Sequence, residues 1–344
     1  MPDRFDLAPK VELHLHLEGA IPMPTLWRLV QKYDGDAAVP DEAALARHLE
    51  YTSFAAFIDT WWWMTGFVRS YADFELIAAS VAENLAKQHI VYAEASFSPT
   101  DFERHGLQVQ AIATAIRRGL ARVKGTHVVL NCDLVRDTGP SRAADTLAAV
   151  LEVASDADIR GITIGGSEHK YPPELFADVY RRAANAGLRL TAHAGEAAGP
   201  DSVRGALDVL GVERIGHGVR VVEDPGLLER VVEAQIPLEV CPTSNIRTGV
   251  VPGWESHPVG ALMGAGANVT VSSDDPTFFH TSVAAELRSV SKLFGADPRT
   301  LTGRAVAASW MTDPEKQATL AEISSWWARR GRPATGATSV SPDT

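Results

Sequence analysis

The chain has 344 residues and a formal net charge of −11. A single α/β barrel runs to this length, and a core of that size needs neither disulfides nor a structural metal to fold. The acidic balance, without any dense Lys/Arg block, argues against a nucleic-acid surface; no apolar run reaches the ~20 residues of a membrane span, and the opening MPDRFDLAPK has no secretion-signal core.

The first β-rich run is VELHLHL (11–17). A long insertion follows at about 18–89 and contains SFAAFIDTWWWMTGF (53–67), a helical segment with an aromatic cluster. That cluster reads as a core helix or as a lid over a cavity mouth. Next come IVYAEASFS (90–98) and HVVLNCDLV (127–135), then a helix-period stretch, SRAADTLAAVLEVASD (141–156), and the strand GITIGG (161–166). PELFADVYRRAANAG (173–187) reads as a helix with Gly187 at its C-terminal cap, and LRLTAHAG (188–195) and RIGHG (214–218) as strands. DPGLLERVVEAQ (224–235) has Asp224 placed to cap a helix that starts at Pro225; PLEVCP (237–242) and NVTVSS (268–273) complete the strands. Eight strands alternating with helices predict a (β/α)8 TIM barrel over residues 1–330, interrupted by the insertion, with a disordered small-residue tail at 331–344. Cys132 and Cys241 fall inside strands, as reduced thiols do, and the expected location is cytoplasmic.

In such a barrel the reactive side chains collect at the C-terminal ends of the strands. His14 and His16 lie near the end of the first strand, and a period of two points both the same way. Alone, they read as core histidines rather than as metal ligands. The fifth strand, however, ends with His193 and then Glu196, the sixth with His217, and the eighth with Asp274 and Asp275. Inward charges at a barrel mouth are costly unless paired or metal-bound. Together they predict a centre of three histidines and one carboxylate, a donor set suited to one Zn²⁺ per chain. The remaining histidines sit on helices, loops and strand starts without ligand spacing.

PKVELHLHLEGA (9–20), TAHAGE (191–196), RIGHG (214–218), CPTSN (241–245) and SSDDP (272–276) together resemble the adenosine deaminase family of metal-dependent amidohydrolases. The resemblance implies that His14, His16, His193 and Asp274 hold Zn²⁺. It implies that Glu196 protonates the ring nitrogen beside the attacked carbon, and that His217, with Asp274, orients and deprotonates the attacking water. It places Asp275 on the imidazole side of a purine, the Gly166 N–H on another ring nitrogen, and Phe57, Ile58 and Trp61 in an apolar lid. The chemistry is coherent: a metal ion makes water nucleophilic at neutral pH, and a buried Glu196 is a proton donor for the aza-ring.

Two segments depart from adenosine deaminases proper. Glu18 stands where those enzymes carry an Asp that contacts ribose, and GGSEHKYPP (165–173) replaces their AGDE-type loop. Both resemble the branch that holds adenine deaminases and aminodeoxyfutalosine deaminases. The expected substrate is therefore 6-aminodeoxyfutalosine, a nucleoside of menaquinone biosynthesis, with adenosine or adenine as alternatives. Its remote carboxylate needs a cation, and Arg247, just after CPTSN, is the candidate, ahead of Lys170 and Arg69. A different amidohydrolase reaction and a catalytically silent nucleoside-binding barrel are the other readings. The expected partner is a small purine nucleoside or base, with neither nucleic acid nor membrane.

Overall fold

A computed structural model describes residues 2–51 and 54–330. The eight expected strands are all present: β1 (Lys10–His16), β2 (Ile90–Phe97), β3 (His127–Asp133), β4 (Ile159–Thr163), β5 (Arg189–Ala194), β6 (Arg214–His217), β7 (Pro237–Val240) and β8 (Asn268–Val271). Each pairs in parallel with the next in chain order. The seam of the ring is made just past β8, where His16 N–H donates to the Asp274 carbonyl and Asp274 N–H to the His14 carbonyl, both at 3.0 Å. With helices between the strands, this is a (β/α)8 barrel.

Every residue of β1 is buried, because both faces of a barrel strand are covered. Val11 and Leu13 point outward and pack with Val306 and Ile323 from the helices Pro298–Ala308 and Asp313–Arg330. The alternate residues Glu12, His14 and His16 therefore face the interior. That alternation explains the spacing of the two imidazoles. Local signals hold elsewhere too. Asp224 Oδ1 accepts from Leu227 N–H at 3.0 Å at the start of helix Pro225–Glu233, and Gly187, at φ +85°, follows helix Ala177–Asn185.

Among the described residues, four helices occupy the insertion: Met23–Lys32, Glu42–His48, Phe54–Thr65 and Tyr71–Lys87. The last is an ordinary barrel helix, burying Phe74, Ile77, Val81 and Leu85. The aromatic helix Phe54–Thr65 has two functions on two faces. Met64 is fully buried in the core, whereas Phe57, Ile58, Trp61 and Trp62 line a cavity at the barrel mouth. Both cysteines are free and buried, and among the described residues no helix is long and apolar enough to cross a membrane. The expected tail at 331–344 lies outside the described residues.

Candidate metal centre and cavity

His14 and His16 on β1, His193 on β5 and Asp274 after β8 meet at the mouth, all buried, with one donor atom from each inside a 4.8 Å cluster. His193 Nε2 lies 3.1 Å from His14 Nε2 and 3.2 Å from His16 Nε2; Asp274 Oδ1 lies 3.5 and 3.3 Å from the same two nitrogens. Metal–nitrogen distances of ~2.0–2.1 Å imply tetrahedral edges of about 3.3 Å, so these spacings fit a four-coordinate divalent ion. Three imidazole nitrogens converging without an intervening donor would otherwise be poorly satisfied.

The four donor residues are held from behind. His14 Nδ1 lies 3.0 Å from Glu239 Oε2 on β7, and Arg214 Nε donates to the other oxygen of Glu239 at 2.6 Å. Arg214 also pairs with Glu94 of β2 at 2.5 Å, and its guanidinium stacks 4.0 Å from the Trp310 ring centroid. His193 Nδ1 is 3.3 Å from Thr163 Oγ1, and the buried Arg136 donates to the His193 carbonyl. Ser244 Oγ donates to Asp274 Oδ2 at 2.6 Å, while Ser273 N–H donates to Glu12 Oε1 at 2.7 Å, tying the end of β8 to β1. Gly216 is required beside the cluster: a Cβ there would come 2.9 Å from His14 Cε1.

That glycine shows that the even-numbered positions of β6 face inward, so His217 should turn away by alternation. Its φ of +62° breaks the alternation and swings the imidazole into the cavity; Asp274 uses the same device at φ +65°. His217 Nε2 then lies 3.5 Å from Glu196 Oε2 and 3.8 Å from Asp274 Oδ2. Its Nδ1 is 3.2 Å from the Asn245 amide, whose Oδ1 is buried without a partner. Turning that amide lets Oδ1 accept from Nδ1–H and leaves the Nε2 lone pair facing Asp274.

Glu196 sits on a turn clamped by Glu168, whose carboxylate accepts from the N–H groups of Gly195, Glu196 and Ala198 at 2.6, 3.1 and 2.8 Å. Burial, with the negative charges of Asp274 and Glu168, pushes the Glu196 carboxyl up to about 8. Burial and Asp274 likewise hold the Asp275 carboxyl well above the usual range, and its Oδ1 has no partner.

The cavity encloses about 260 Å³, the size of a small-molecule site. Of the residues expected from sequence, His16, Phe57, Ile58, Trp61, Gly166, His193, Glu196, His217, Asp274 and Asp275 line it. His14, Glu18 and Arg247 do not. Glu18 is fully buried, its Oε1 accepts from Ser98 N–H at 3.1 Å, and burial raises its carboxyl to about 8. Arg247 ends helix Pro242–Arg247, which carries it outward to Glu50 at 3.1 Å and over the Tyr51 ring. Sequence reasoning passed over Asp101, Asp133, Asp137 and Ser244 in the lining, and Glu239, Glu168, Arg136 and Asn245 behind it.

The family model for adenosine deaminase matches residues 9–326. The chain belongs to the adenosine deaminase family. This family member is 35% identical over 331 residues to an aminodeoxyfutalosine deaminase of Streptomyces avermitilis, covering 93% of this chain and 91% of that one. It is 32% identical over 333 residues to an adenine deaminase of Cupriavidus metallidurans, covering 95% and 94%. Among solved structures, adenine deaminase from Arthrobacter aurescens superposes with a TM-score of 0.86 at 30% identity, over 93% of this chain and 99% of that one. An amidohydrolase from Burkholderia ambifaria solved with bound zinc gives 0.84 at 27% identity, over 95% and 93%. The chain is thus a hydrolase of the deaminase class, acting on carbon–nitrogen bonds.

Proposed function

We propose that the protein hydrolyses the exocyclic C–N bond of a 6-aminopurine, releasing ammonia and leaving the 6-oxopurine. The observation that carries this reading is the meeting of Glu196 and His217 beside the His14–His16–His193–Asp274 cluster, 3.5 Å apart, with the Glu196 carboxyl raised to about 8. A divalent ion held by those four residues, which we propose to be Zn²⁺ from the N₃O donor set, supplies the Lewis acidity that makes water nucleophilic at neutral pH. His217 Nε2 accepts the proton of the attacking water, and Asp274 holds that water in line. Glu196 keeps a proton at neutral pH and delivers it to the ring nitrogen that gains charge as C6 is attacked. Asp275, protonated for the reason given above, donates from its unpartnered oxygen to a nitrogen on the imidazole side. The Gly166 N–H meets a further ring nitrogen, and Phe57, Ile58 and Trp61 cover the ring and exclude water.

The relatives divide between two substrates. Among the described residues no Lys or Arg lines the cavity, which favours an uncharged 6-aminopurine such as adenine or adenosine. Likeness to the Streptomyces avermitilis protein supports aminodeoxyfutalosine, whose carboxylate reaches Arg247 only if the pair with Glu50 opens. Ammonia release from adenine, adenosine and aminodeoxyfutalosine, measured side by side on zinc-loaded protein, tests both. Turnover of none of them overturns the deaminase reading; preference for the third overturns the uncharged-substrate reading.

A further inference from the structure

The groups assigned to chemistry come from the β5, β6 and β8 side of the mouth. The opposite side, after β2, β3 and β4, carries a second set of side chains that the reaction does not use. The turn after β3 is built around Val135, a β-branched residue at φ +46°, which holds this backbone only because its surroundings over-determine it. Asp133 Oδ1 accepts from Val135 N–H at 3.0 Å and from Gly165 N–H at 2.8 Å, and the buried Arg136 donates to the Tyr171 carbonyl at 2.8 Å. The strained turn delivers Asp137 to the cavity, where Oδ2 accepts from Ser167 N–H at 2.8 Å. Gly166, at φ +97°, makes room for it: a Cβ there would come 2.2 Å from Asp137 Oδ2.

From the segment after β2, Asp101 lines the same cavity with 8% exposure, and its Oδ2 accepts from Trp61 Nε1 at 3.1 Å. Among the described residues neither Asp101 Oδ1 nor Asp137 Oδ1 has a hydrogen-bond partner. Arg104 offsets part of the negative charge at Asp101 while donating to Thr65 Oγ1 and stacking on the Trp62 ring; Arg69 donates to the Gly66 carbonyl and Arg247 pairs with Glu50, and none of the three lines the cavity. With C6 set between Glu196 and His217 as proposed, the part of the cavity left for the rest of the substrate is lined by these two carboxylates.

Resting on the deaminase reading, we propose that Asp101 and Asp137 form a recognition end that takes a hydrogen-bond-donating, uncharged or cationic group on the far side of the purine and rejects an anionic one. An anion there would be repelled by two carboxylates, the buried Asp101 and the exposed Asp137, whereas an N–H, hydroxyl or ammonium satisfies their free oxygens.

The test uses three adenines of similar size on zinc-loaded protein: 9-(2-aminoethyl)adenine, 9-(2-hydroxyethyl)adenine and adenine-9-acetic acid. Calorimetry gives their affinities and ammonia release their kcat/KM. The amine and the alcohol should each bind at least about tenfold more tightly than the acid, as expected for one close like-charge contact. Asp137→Asn should shrink the amine-to-acid ratio at least about fivefold with zinc content unchanged, and Asp101→Asn should do the same if the first variant folds poorly. The acid binding as well as the amine, or a ratio indifferent to both substitutions, overturns the proposal; so does failure of all three to bind. Ordered binding without any ammonia release would instead sink the deaminase reading and leave the charge selection standing.

Discussion

Glu239 accepts from the back of His14: its Oε2 lies 3.0 Å from His14 Nδ1, and both side chains are buried. The hydrogen bond fixes the tautomer that turns the Nε2 lone pair toward the other ligands, and Arg214, anchored in turn by Glu94, fixes the carboxylate. Glu239→Gln should therefore weaken zinc binding by ~10–100-fold while the barrel still folds. Competition with a chromogenic chelator measures it. Unchanged affinity would reduce Glu239 to a core ion pair.

Removing the metal should abolish turnover and lower the melting temperature, and zinc should restore both. An ion present at a thousand times its dissociation constant stabilises the folded state by about 4 kcal/mol. In His193→Ala the chelator should change nothing, because the site is already broken. A metal-free preparation, verified by elemental analysis, that retains full activity would contradict the assignment.

The raised carboxyl of Glu196 sets a pH limb. Its proton is held below about 8 and lost above, so the acid form, and with it kcat/KM, should fall as pH rises through about 8. Glu196→Gln keeps the shape but cannot supply a proton: kcat should drop ~10²–10⁴-fold at constant zinc content, and the alkaline limb should vanish. A variant keeping more than about a tenth of kcat would remove Glu196 from that role.

The two faces of the aromatic helix should separate experimentally. Trp61 lies over the cavity, its ring 6.4 Å from that of His16 and 5.8 Å from that of Phe278, so Trp61→Ala should raise KM more than it lowers stability. Met64, fully buried one turn away, should behave in the opposite way: Met64→Ala should cost ~2–5 kcal/mol with KM unchanged. Paired melting curves and Michaelis plots distinguish them, and a large loss of stability in the Trp61 variant with unaltered KM would refute the covering role.

The strands and the clustered histidines were legible because both follow simple periods. His14 and His16 differ by two, and each later candidate ends an apolar run before a turn. Glu239 and Glu94 carried a signal that went unused. Each is a lone carboxylate inside an apolar strand, and such a group must have a buried partner. Arg247 was misleading because proximity in sequence to a strand end does not fix direction; six residues of helix carry the guanidinium away from the cavity. Asp137 was illegible for another reason. Its position depends on a left-handed valine, which no propensity predicts.

The seam of the barrel has a consequence for biosynthesis. Asp274 both joins the last strand to the first and completes the donor set, and it leaves the ribosome long after His14 and His16. At ~5–20 residues per second, roughly 10–50 s separate the first ligands from the last. A nascent chain can offer an incoming ion only a partial chelate during that interval, so full-strength capture must wait for ring closure. On the proposed ligand set, completing the metal site and closing the barrel are one step, because the same residue supplies the seam's backbone hydrogen bonds and the last donor oxygen.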